Sequence, residues 1–352
     1  MQAQAQRERF RVIVGRIERL VPWVALAVAP IAIFVVFRSQ RHALDTLRGA
    51  VGWQDLVTSA AAFAVAPVAQ ALSFWLALRF LTRTTPLADA LVVWSRSYVL
   101  RYAPTGALAV AYRLSSRRRL RASGDQVLAA YAYEHVGALA AGAVACLALF
   151  AAAGSLPPLL PLGIVVATLM LTAALRPGIA GRVVERVARR LGFHLSVMPE
   201  GRQLAAIMGV NALGWLGTGA AVYLLVAAVT GDTPGFVWLV SMYTAGYLVG
   251  FVAPLAPGGI GAREGALVVL LGPRYGAAAA LGISLAIRVA NVAGELLAVV
   301  LIHAAYALRM ILARSAKSDR PDNLPSRSRW GDEGRLVRMP RLRRLRPAKV
   351  SP

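Results

Sequence analysis

Residues 246–271 read GYLVGFVAPLAPGGIGAREGALVVLL, and this stretch is the strongest guide to the architecture of the chain. It is as apolar as a membrane segment, yet its centre combines two prolines, three glycines and an Arg-Glu pair. Proline removes a backbone donor and glycine weakens a helix. Unsatisfied backbone groups and charges are costly in hydrocarbon, and intramembrane charges mark working sites. We therefore predict a broken helix beside a substrate path, formed by Pro254, Pro257, Gly258, Gly259, Gly261, Arg263 and Glu264.

The whole chain has the composition of a polytopic membrane protein. Of its 352 residues, 58% are hydrophobic, and the formal net charge is +23. Such a charge would suggest nucleic acid for a soluble protein, but here most basic residues lie in loops and tails, where they orient the protein and contact anionic lipid. The sequence lacks the usual nucleotide, metal and nucleophile motifs of soluble enzymes. We therefore expect no cofactor, no metal ion and no nucleic-acid partner.

The distribution of arginine predicts how the apolar segments cross the membrane. Six runs are long enough to span a bilayer, for which about 20 residues are needed. The two apolar segments 87–112 and 236–271 are interrupted. If each crossed once, arginine-rich loops would lie on both sides, against the positive-inside bias. We therefore predict that neither segment crosses the membrane, and that each leaves on the side where it entered. The six spanning runs are 20–37, 56–81, 127–153, 158–175, 204–229 and 277–308.

In this topology the two halves of the chain are inverted relative to each other. The first half crosses twice, re-enters from the cytoplasm and crosses again, and the second half repeats this order from outside. The spacing of two residue types supports this relation between the halves. Pro104 precedes Arg113 by nine residues, and Pro254 likewise precedes Arg263 by nine. Inverted repeats with broken helices bind their substrates where the broken elements meet. We predict an all-α polytopic bundle of about six spanning helices and two re-entrant segments.

Three regions are expected along the chain. Residues 1–19 form a basic N-terminus, and residues 20–312 form the transmembrane domain, with halves at about 20–153 and 154–312. Residues 313–352 are too polar and basic to bury a core, which predicts a disordered tail on the anionic leaflet. Both termini are expected in the cytoplasm. Abundant alanine and scarce lysine resemble proteins of GC-rich bacteria, which suggests a bacterial inner membrane.

Several charged residues in the predicted membrane region are candidates for a site. Arg288 and Glu295 lie seven residues apart on one helix and so share a face. The first interpretation is a set of interhelical salt bridges that hold the bundle together. The second is a polar cavity in which arginines bind phosphate by parallel hydrogen bonds, and carboxylates balance charge or relay protons. The candidates are Arg263, Arg288, Glu134, Glu264 and Glu295.

Two motifs resemble those of a known family. Residues 254–267, PLAPGGIGAREGAL, followed by Arg288, resemble the transmembrane region of lysylphosphatidylglycerol synthases, which is flippase-like. Residues 97–120, SYVLRYAPTGALAVAYRLSSRRRL, are similar to that family's first motif, although its usual Pro-Gly pair is interrupted by Thr105 here. The resemblance implies that Pro104, Arg113 and Glu134 join the site.

The resemblance implies movement of a lipid or a lipid-linked head group between leaflets. Full-length members of that family carry an aminoacyl transferase domain after the membrane part, so we expect no synthesis of lysyl lipid by this chain. Two alternatives stay open. One is a membrane enzyme that acts on a lipid phosphate with Glu134 or Glu264 as its base. The other is a non-transporting scaffold for a glycosyltransferase. Candidate protein partners are a glycosyltransferase and a second copy of the chain.

Overall fold

A computed structural model describes residues 52–100, 107–153, 201–252 and 261–318 of the chain. Every regular element in these ranges is an α-helix. The predicted spans 20–37 and 158–175 lie outside the described residues, as do the predicted N-terminus, residues 1–19, and residues 319–352 of the predicted tail. Residues 313–318 of that tail are described and are helical. Most of the two breaks lies outside the described residues as well, including Pro104, Pro254, Pro257, Gly258 and Gly259.

The helices follow the order that the apolar pattern predicts. They are α1 Trp53–Phe63, α2 Val65–Thr82, α3 Leu87–Val99, α4 Ala107–Ser115, α5 Arg117–Leu120, α6 Gly124–Ala153, α7 Gly201–Thr230, α8 Phe236–Val252, α9 Ala262–Tyr275 and α10 Ala277–Ser318. Each interrupted segment thus contains one helix before its break and another after it. Two units are distinguished, residues 1–307 and residues 308–352, and the described part of the second is the exposed end of α10. The predicted domain boundary at residue 312 stays a prediction.

Three stretches among the described residues are long and apolar enough to cross a membrane. They are Trp53–Thr82, which α1 and α2 form together, Gly201–Thr230, and Ala277–Ala313 within α10. These stretches confirm helices at three of the predicted spans, and α6 covers a fourth, 127–153. The predicted all-α membrane bundle is confirmed.

Helices α2 and α7 run in opposite directions. Asn211 Nδ2 donates to Ser73 Oγ at 2.8 Å, and six residues further along α7, Gly217 lies against Val65. The contact therefore moves backward along α2 as it moves forward along α7. Glycine at the crossing lets the backbones approach closely. The C-terminal ends of α2 and α7 consequently lie at opposite ends of the bundle.

The first interrupted segment begins and ends at the same end of the bundle. Asp89, in the first turn of α3, accepts a hydrogen bond from Arg119 Nε of α5 at 2.8 Å. Thr85 Oγ1, in the loop before α3, donates to the carbonyl oxygen of Leu120 at 2.8 Å. The chain therefore goes in along α3 and returns along α4 and α5.

The second interrupted segment folds back in the same way from the other end. Asp232 precedes α8 and accepts hydrogen bonds from Arg274 at 2.8 and 3.0 Å and from Tyr275 at 3.2 Å. Arg274 also lies 5.4 Å from the Trp238 ring. The hydrogen bond to Asp232 raises the pKa of Arg274, and burial raises the pKa of Tyr275. The helices α3, α4 and α5 thus form one hairpin, and α8 and α9 form another that starts from the opposite end of the bundle. An inverted pair of re-entrant segments requires this arrangement. Re-entry into a membrane stays a prediction.

Because α10 packs closely on α1, a methyl group added at Gly294 of α10 is expected to destabilise the protein. A Cβ at Gly294 would lie 2.6 Å from the Ala60 carbonyl oxygen and 2.6 Å from Phe63 Cβ. Because backbone cannot yield as a flexible side chain does, Gly294→Ala is expected to lower the free energy of unfolding by about 1–3 kcal/mol. Denaturant titration of the purified protein in mixed micelles would measure this change.

The matched control is Gly209→Ala in α7, where a Cβ would have no neighbour within 4 Å. Alanine is the better helix former, so this variant is expected to gain up to about 1 kcal/mol. Equal effects of the two substitutions would contradict the close contact between α1 and α10.

Candidate functional site

A buried ion pair joins the first hairpin to α6. Arg113 of α4 bonds the Glu134 carboxylate of α6, and both side chains are almost completely buried. The other Glu134 oxygen accepts a hydrogen bond from Trp94 Nε1 at 2.6 Å. Arg113 Nε donates to Ser97 Oγ at 2.7 Å. The pair thus connects α3, α4 and α6, as the first interpretation of the charged residues predicts.

Aromatic rings complete the surroundings of Arg113. Its guanidinium carbon lies 4.4 Å from the centroid of the Phe74 ring and 4.9 Å from that of Tyr131. Cation–π contacts of this kind are strongest in places that exclude water. Arg113 therefore interacts with α2 as well as with α3, α4 and α6.

In the second half, Glu264 is positioned by the glycine that immediately precedes α9. Gly261 has φ +86°, in the left-handed region that favours glycine, and its N–H donates to Glu264 Oε2 at 2.7 Å. A carboxylate at this position of the first helical turn satisfies an otherwise unbonded backbone donor. The other oxygen, Oε1, lies 3.7 Å from Arg288 Nε of α10. Glu264 therefore caps one helix and forms an ion pair with another.

The two halves use the same kind of link with the charges exchanged. In the first half, the arginine lies on the hairpin and the glutamate on the long helix that follows. In the second half, Glu264 lies on the hairpin and Arg288 on the long helix. Each pair holds the returning arm of a hairpin against the next helix. The two ion pairs thus join a hairpin to the following long helix in each half, and Glu264 is the most exposed of their four side chains.

Arg263 lies behind two tyrosines of α8. Its guanidinium carbon is 4.4 Å from the centroid of the Tyr243 ring and 5.3 Å from that of Tyr247. Close packing holds it there, because a Cβ at Gly250 would lie 2.9 Å from Arg263 Cβ. Only a residue without a side chain lets α8 approach α9 this closely.

A chain of hydrogen bonds leads from α8 to Glu295. The Tyr243 hydroxyl donates to Asn291 Oδ1 at 3.3 Å, and Asn291 Nδ2 donates to Glu295 Oε1 at 2.7 Å. Arg288, Asn291 and Glu295 occur at helical spacing on α10 and are all buried. Asn291 therefore lies between Arg288 and Glu295 on the face of α10 that these two residues were predicted to share.

A cavity lies between the two halves of the bundle. The cavity is small, with about 30 Å³ open to the centre of a water molecule, and it is partly open to the outside. Six helices contribute to its lining: α2, α3, α6, α7, α8 and α10. Its polar and aromatic lining consists of Gln70, Tyr98, Asn211, Trp215, Thr218, Tyr243, Tyr247, Asn291 and Glu295.

The predicted site residues take different positions relative to this cavity. Glu295 lines it, and Arg263 contacts the rings of two lining tyrosines, Tyr243 and Tyr247. The pairs Arg113–Glu134 and Glu264–Arg288 are not among its described lining residues. Of the broken-helix motif, Gly261 is described and caps α9, whereas its other residues lie outside the described residues.

Reasoning from the sequence missed the uncharged polar residues of the cavity. It considered charged side chains and passed over Asn211 and Asn291, although an asparagine inside an apolar span is itself a signal, because an amide needs partners there. Tyr98 and Tyr247 precede the two breaks at similar distances and both line the cavity. Their positions relative to Pro104 and Pro254 could have indicated this.

Comparison with known proteins agrees with this architecture. The sequence model of the family described as Lysylphosphatidylglycerol synthase TM region matches residues 22–298. The match covers both halves of the bundle and all of the described cavity lining. A comparison with curated proteins gives no match. Because the family match spans well over half of the chain and the described helices include three long apolar ones, the chain is an integral membrane protein that belongs to the lysylphosphatidylglycerol synthase transmembrane-region family.

Proposed function

We propose that this protein is a lipid transporter of the flippase type, which moves a phospholipid or a polyprenyl-phosphate-linked head group between leaflets. The observation that supports this most directly is the polar and aromatic cavity between two oppositely oriented halves. A head group needs a polar passage, whereas its acyl or prenyl chains can stay in the bilayer. The family match supports a membrane protein related to lipid chemistry.

In this proposal the two hairpins provide alternating access. The α3–α4 hairpin re-enters from the cytoplasm and the α8–α9 hairpin from outside, in a bacterial inner membrane with both termini cytoplasmic. Rocking of one half against the other would open the cavity to each side in turn, as in other inverted-repeat transporters. The basic tail, residues 313–352, would contact anionic lipid on the cytoplasmic leaflet.

The buried charges give the passage its electrostatic character. Arg263 contacts the rings of Tyr243 and Tyr247, which line the cavity, and Arg288 lies close to the carboxylate of Glu264. Charges in a water-poor region act over longer distances than in water. We propose that these two arginines attract the phosphate of the lipid, while Glu134 and Glu295 balance the positive charge.

Leaflet exchange of fluorescent phospholipid and polyprenyl-phosphate analogues in proteoliposomes tests this function. Wild-type protein is expected to accelerate exchange, and Arg263→Ala to slow it at least about tenfold, which corresponds to roughly 1.4 kcal/mol. The matched control is Arg202→Ala, because Arg202 is exposed at the start of α7. It is expected to keep the wild-type rate.

One outcome would overturn the proposed transport, and another would overturn the proposed role of Arg263. Folded wild-type protein that exchanges none of these lipids would favour the enzyme or the scaffold alternative. Exchange at the wild-type rate by Arg263→Ala would remove the role of that arginine.

A further inference from the structure

We infer that Arg96 is the first contact inside the membrane for the phosphate of a lipid substrate, which reaches it from a basic patch at the base of the first hairpin. The basic patch consists of Arg83, Arg117, Arg118 and Arg121, all of which are exposed. This inference rests on the proposed transport function for its biological meaning, and it assigns the entry step. It concerns the binding of a phosphate-bearing head group, so it can be tested without measuring transport.

Arg96 is exposed in the last turn of α3, although both of its neighbours in sequence are buried. Asp89, at the base of the hairpin, precedes it by seven residues. The two residues therefore share a face of the helix and lie about 10 Å apart along its axis. In the proposed re-entrant arrangement the base lies among the lipid head groups, so Arg96 lies below them, beside hydrocarbon. An arginine at such a depth is costly unless it has a partner.

The residues that the structure describes supply no counter-charge for Arg96. Its guanidinium forms neither a hydrogen bond nor an ion pair with any of them. By contrast, the buried Arg113 has Glu134, and Arg119 at the base has Asp89. The dipole of α3 offsets only part of the charge at this end of the helix. A lipid phosphate can complete the neutralisation, because the planar fork of arginine donates two parallel hydrogen bonds to it.

The basic patch is held in place by contacts between its two loops. Thr85 Oγ1 donates to the Leu120 carbonyl oxygen at 2.8 Å, which joins the loop that contains Arg83 to the end of α5 beside Arg121. The Leu120 side chain is completely buried and anchors α5. Within the described part of the chain, no carboxylate forms an ion pair with an arginine of the patch. The charge of the patch is therefore available to an anion, and its backbone needs little ordering when one binds.

Two arginines of the patch occupy backbone positions that normally suit glycine. Arg83 follows α2 with φ 59°, and Arg121 follows α5 with φ 53°, both in the left-handed region. A side chain makes this conformation costly, and proximity to the two helix C-termini offsets part of that cost. The positive-inside bias depends on charge and not on backbone conformation, so it does not require arginine at these two positions. Recruitment of an anion is a further reason for arginine there.

The base of the second hairpin differs in charge from the base of the first. Its arginine among the described residues, Arg274, is paired with Asp232 at 2.8 Å. The first base instead presents the four arginines of the basic patch, and Arg96 follows on the same hairpin. Ser97, the next residue, accepts a hydrogen bond from the buried Arg113. An anionic head group that enters beside the first hairpin therefore meets positive charge from the surface inward.

Binding of two lipids that differ only in the phosphate tests the inference. Native mass spectrometry of the whole chain would compare phosphatidic acid with diacylglycerol of identical acyl chains, at low and at high ammonium acetate concentration. Wild-type protein is expected to bind phosphatidic acid at least about thirtyfold more tightly. Arg96→Gln is expected to reduce the affinity for phosphatidic acid about tenfold at both salt concentrations, without changing that for diacylglycerol. Arg96→Lys should retain most of the preference, because the charge is kept.

The double substitution Arg83→Asn with Arg121→Asn tests the basic patch, because asparagine is neutral and tolerates the left-handed conformation. It is expected to lower the affinity for phosphatidic acid about threefold at low salt and not measurably at high salt, since exposed charges are screened. Arg202→Gln makes the same charge change as Arg96→Gln at the exposed start of α7. This control is expected to leave both affinities unchanged. Thermal unfolding would verify that each variant is folded.

Equal binding of the two lipids by wild-type protein would overturn the inference, and this comparison needs no variant. An unchanged preference in folded Arg96→Gln would also overturn it, because that result is expected if the side chain only extends to the interface. An equal loss in Arg202→Gln would do the same by indicating a general effect of net charge. An unchanged affinity of the double variant at low salt would overturn the recruitment step.

The same variants separate this inference from the transport function. A phosphate preference that depends on Arg96, without any leaflet exchange by wild-type protein, would uphold the inference while rejecting transport. Leaflet exchange by wild-type protein, together with an unchanged preference in Arg96→Gln, would do the reverse.

Discussion

Replacing Glu134 by alanine is expected to lower the free energy of unfolding by about 3–5 kcal/mol, the usual effect of removing one partner of a buried ion pair. The substitution leaves the Arg113 guanidinium buried among Phe74, Tyr131 and Ser97 without its counter-charge. It also removes the acceptor for the Trp94 indole N–H. Both losses act in a region that water does not reach. Denaturant titration in mixed micelles would measure the change.

A second ion pair provides the control for Glu134→Ala. Asp89 and Arg119 form a bridge of 2.8 Å, but their side chains are 28% and 33% exposed, against 4% for Arg113 and Glu134. Exposed pairs contribute little, so Asp89→Ala is expected to cost at most about 1 kcal/mol. The double substitution Arg113→Met with Glu134→Leu should recover part of the loss, because no charge is left buried. A similar loss for Glu134→Ala and Asp89→Ala would contradict the burial of the first pair.

Cysteine labelling is expected to give opposite results at the bases of the two hairpins. In a Cys146→Ala background, Arg118→Cys in α5 should react with a membrane-impermeant maleimide only from the cytoplasm, and Thr233→Cys before α8 only from outside. Both positions are exposed. The reason is that α2 and α7 are antiparallel and each hairpin returns to the end where it began. The positive-inside bias then assigns the arginine-rich base to the cytoplasm.

The labelling experiment compares intact cells with inverted membrane vesicles. Ala77→Cys, at a fully buried position of α2, serves as the control and should react only after denaturation. Reaction of Arg118→Cys from outside would contradict the proposed orientation. Reaction of both base positions from one side would contradict the inverted arrangement as a whole. The expected effect is all or none, which makes this the most decisive test of the topology.

Much of the architecture could be predicted because it depends on local properties of the chain. The apolar run at 204–229 became one long helix, and the run at 56–81 became the consecutive helices α1 and α2. The interrupted segments became pairs of helices. Hydrophobic length and the effects of proline and glycine act within a few residues, so they are readable without knowledge of the packing. The charged residues of the buried pairs could be identified for the same reason, since isolated charges in apolar segments are conspicuous.

The partners of those charges could not be predicted from spacing alone. Arg263 and Glu264 are neighbours in sequence, yet one lies against Tyr243 and Tyr247 while the other caps α9 and faces Arg288. Successive residues on a helix point about 100° apart, so adjacent side chains meet different neighbours. Which neighbours they meet depends on how α8 and α10 pack around α9.

The amino-acid sequence was sufficient to establish an all-helical membrane protein with two broken segments and a small set of buried charges, because hydropathy, helix breaking and charge are properties of short stretches. The cavity required the packed structure, since Asn211 of α7 and Asn291 of α10 are far apart in the chain and come together only when the two halves pack. A lone asparagine in an apolar span has no specified partner. Packing supplies Ser73 and Ile207 for one amide and Glu295 and Tyr243 for the other.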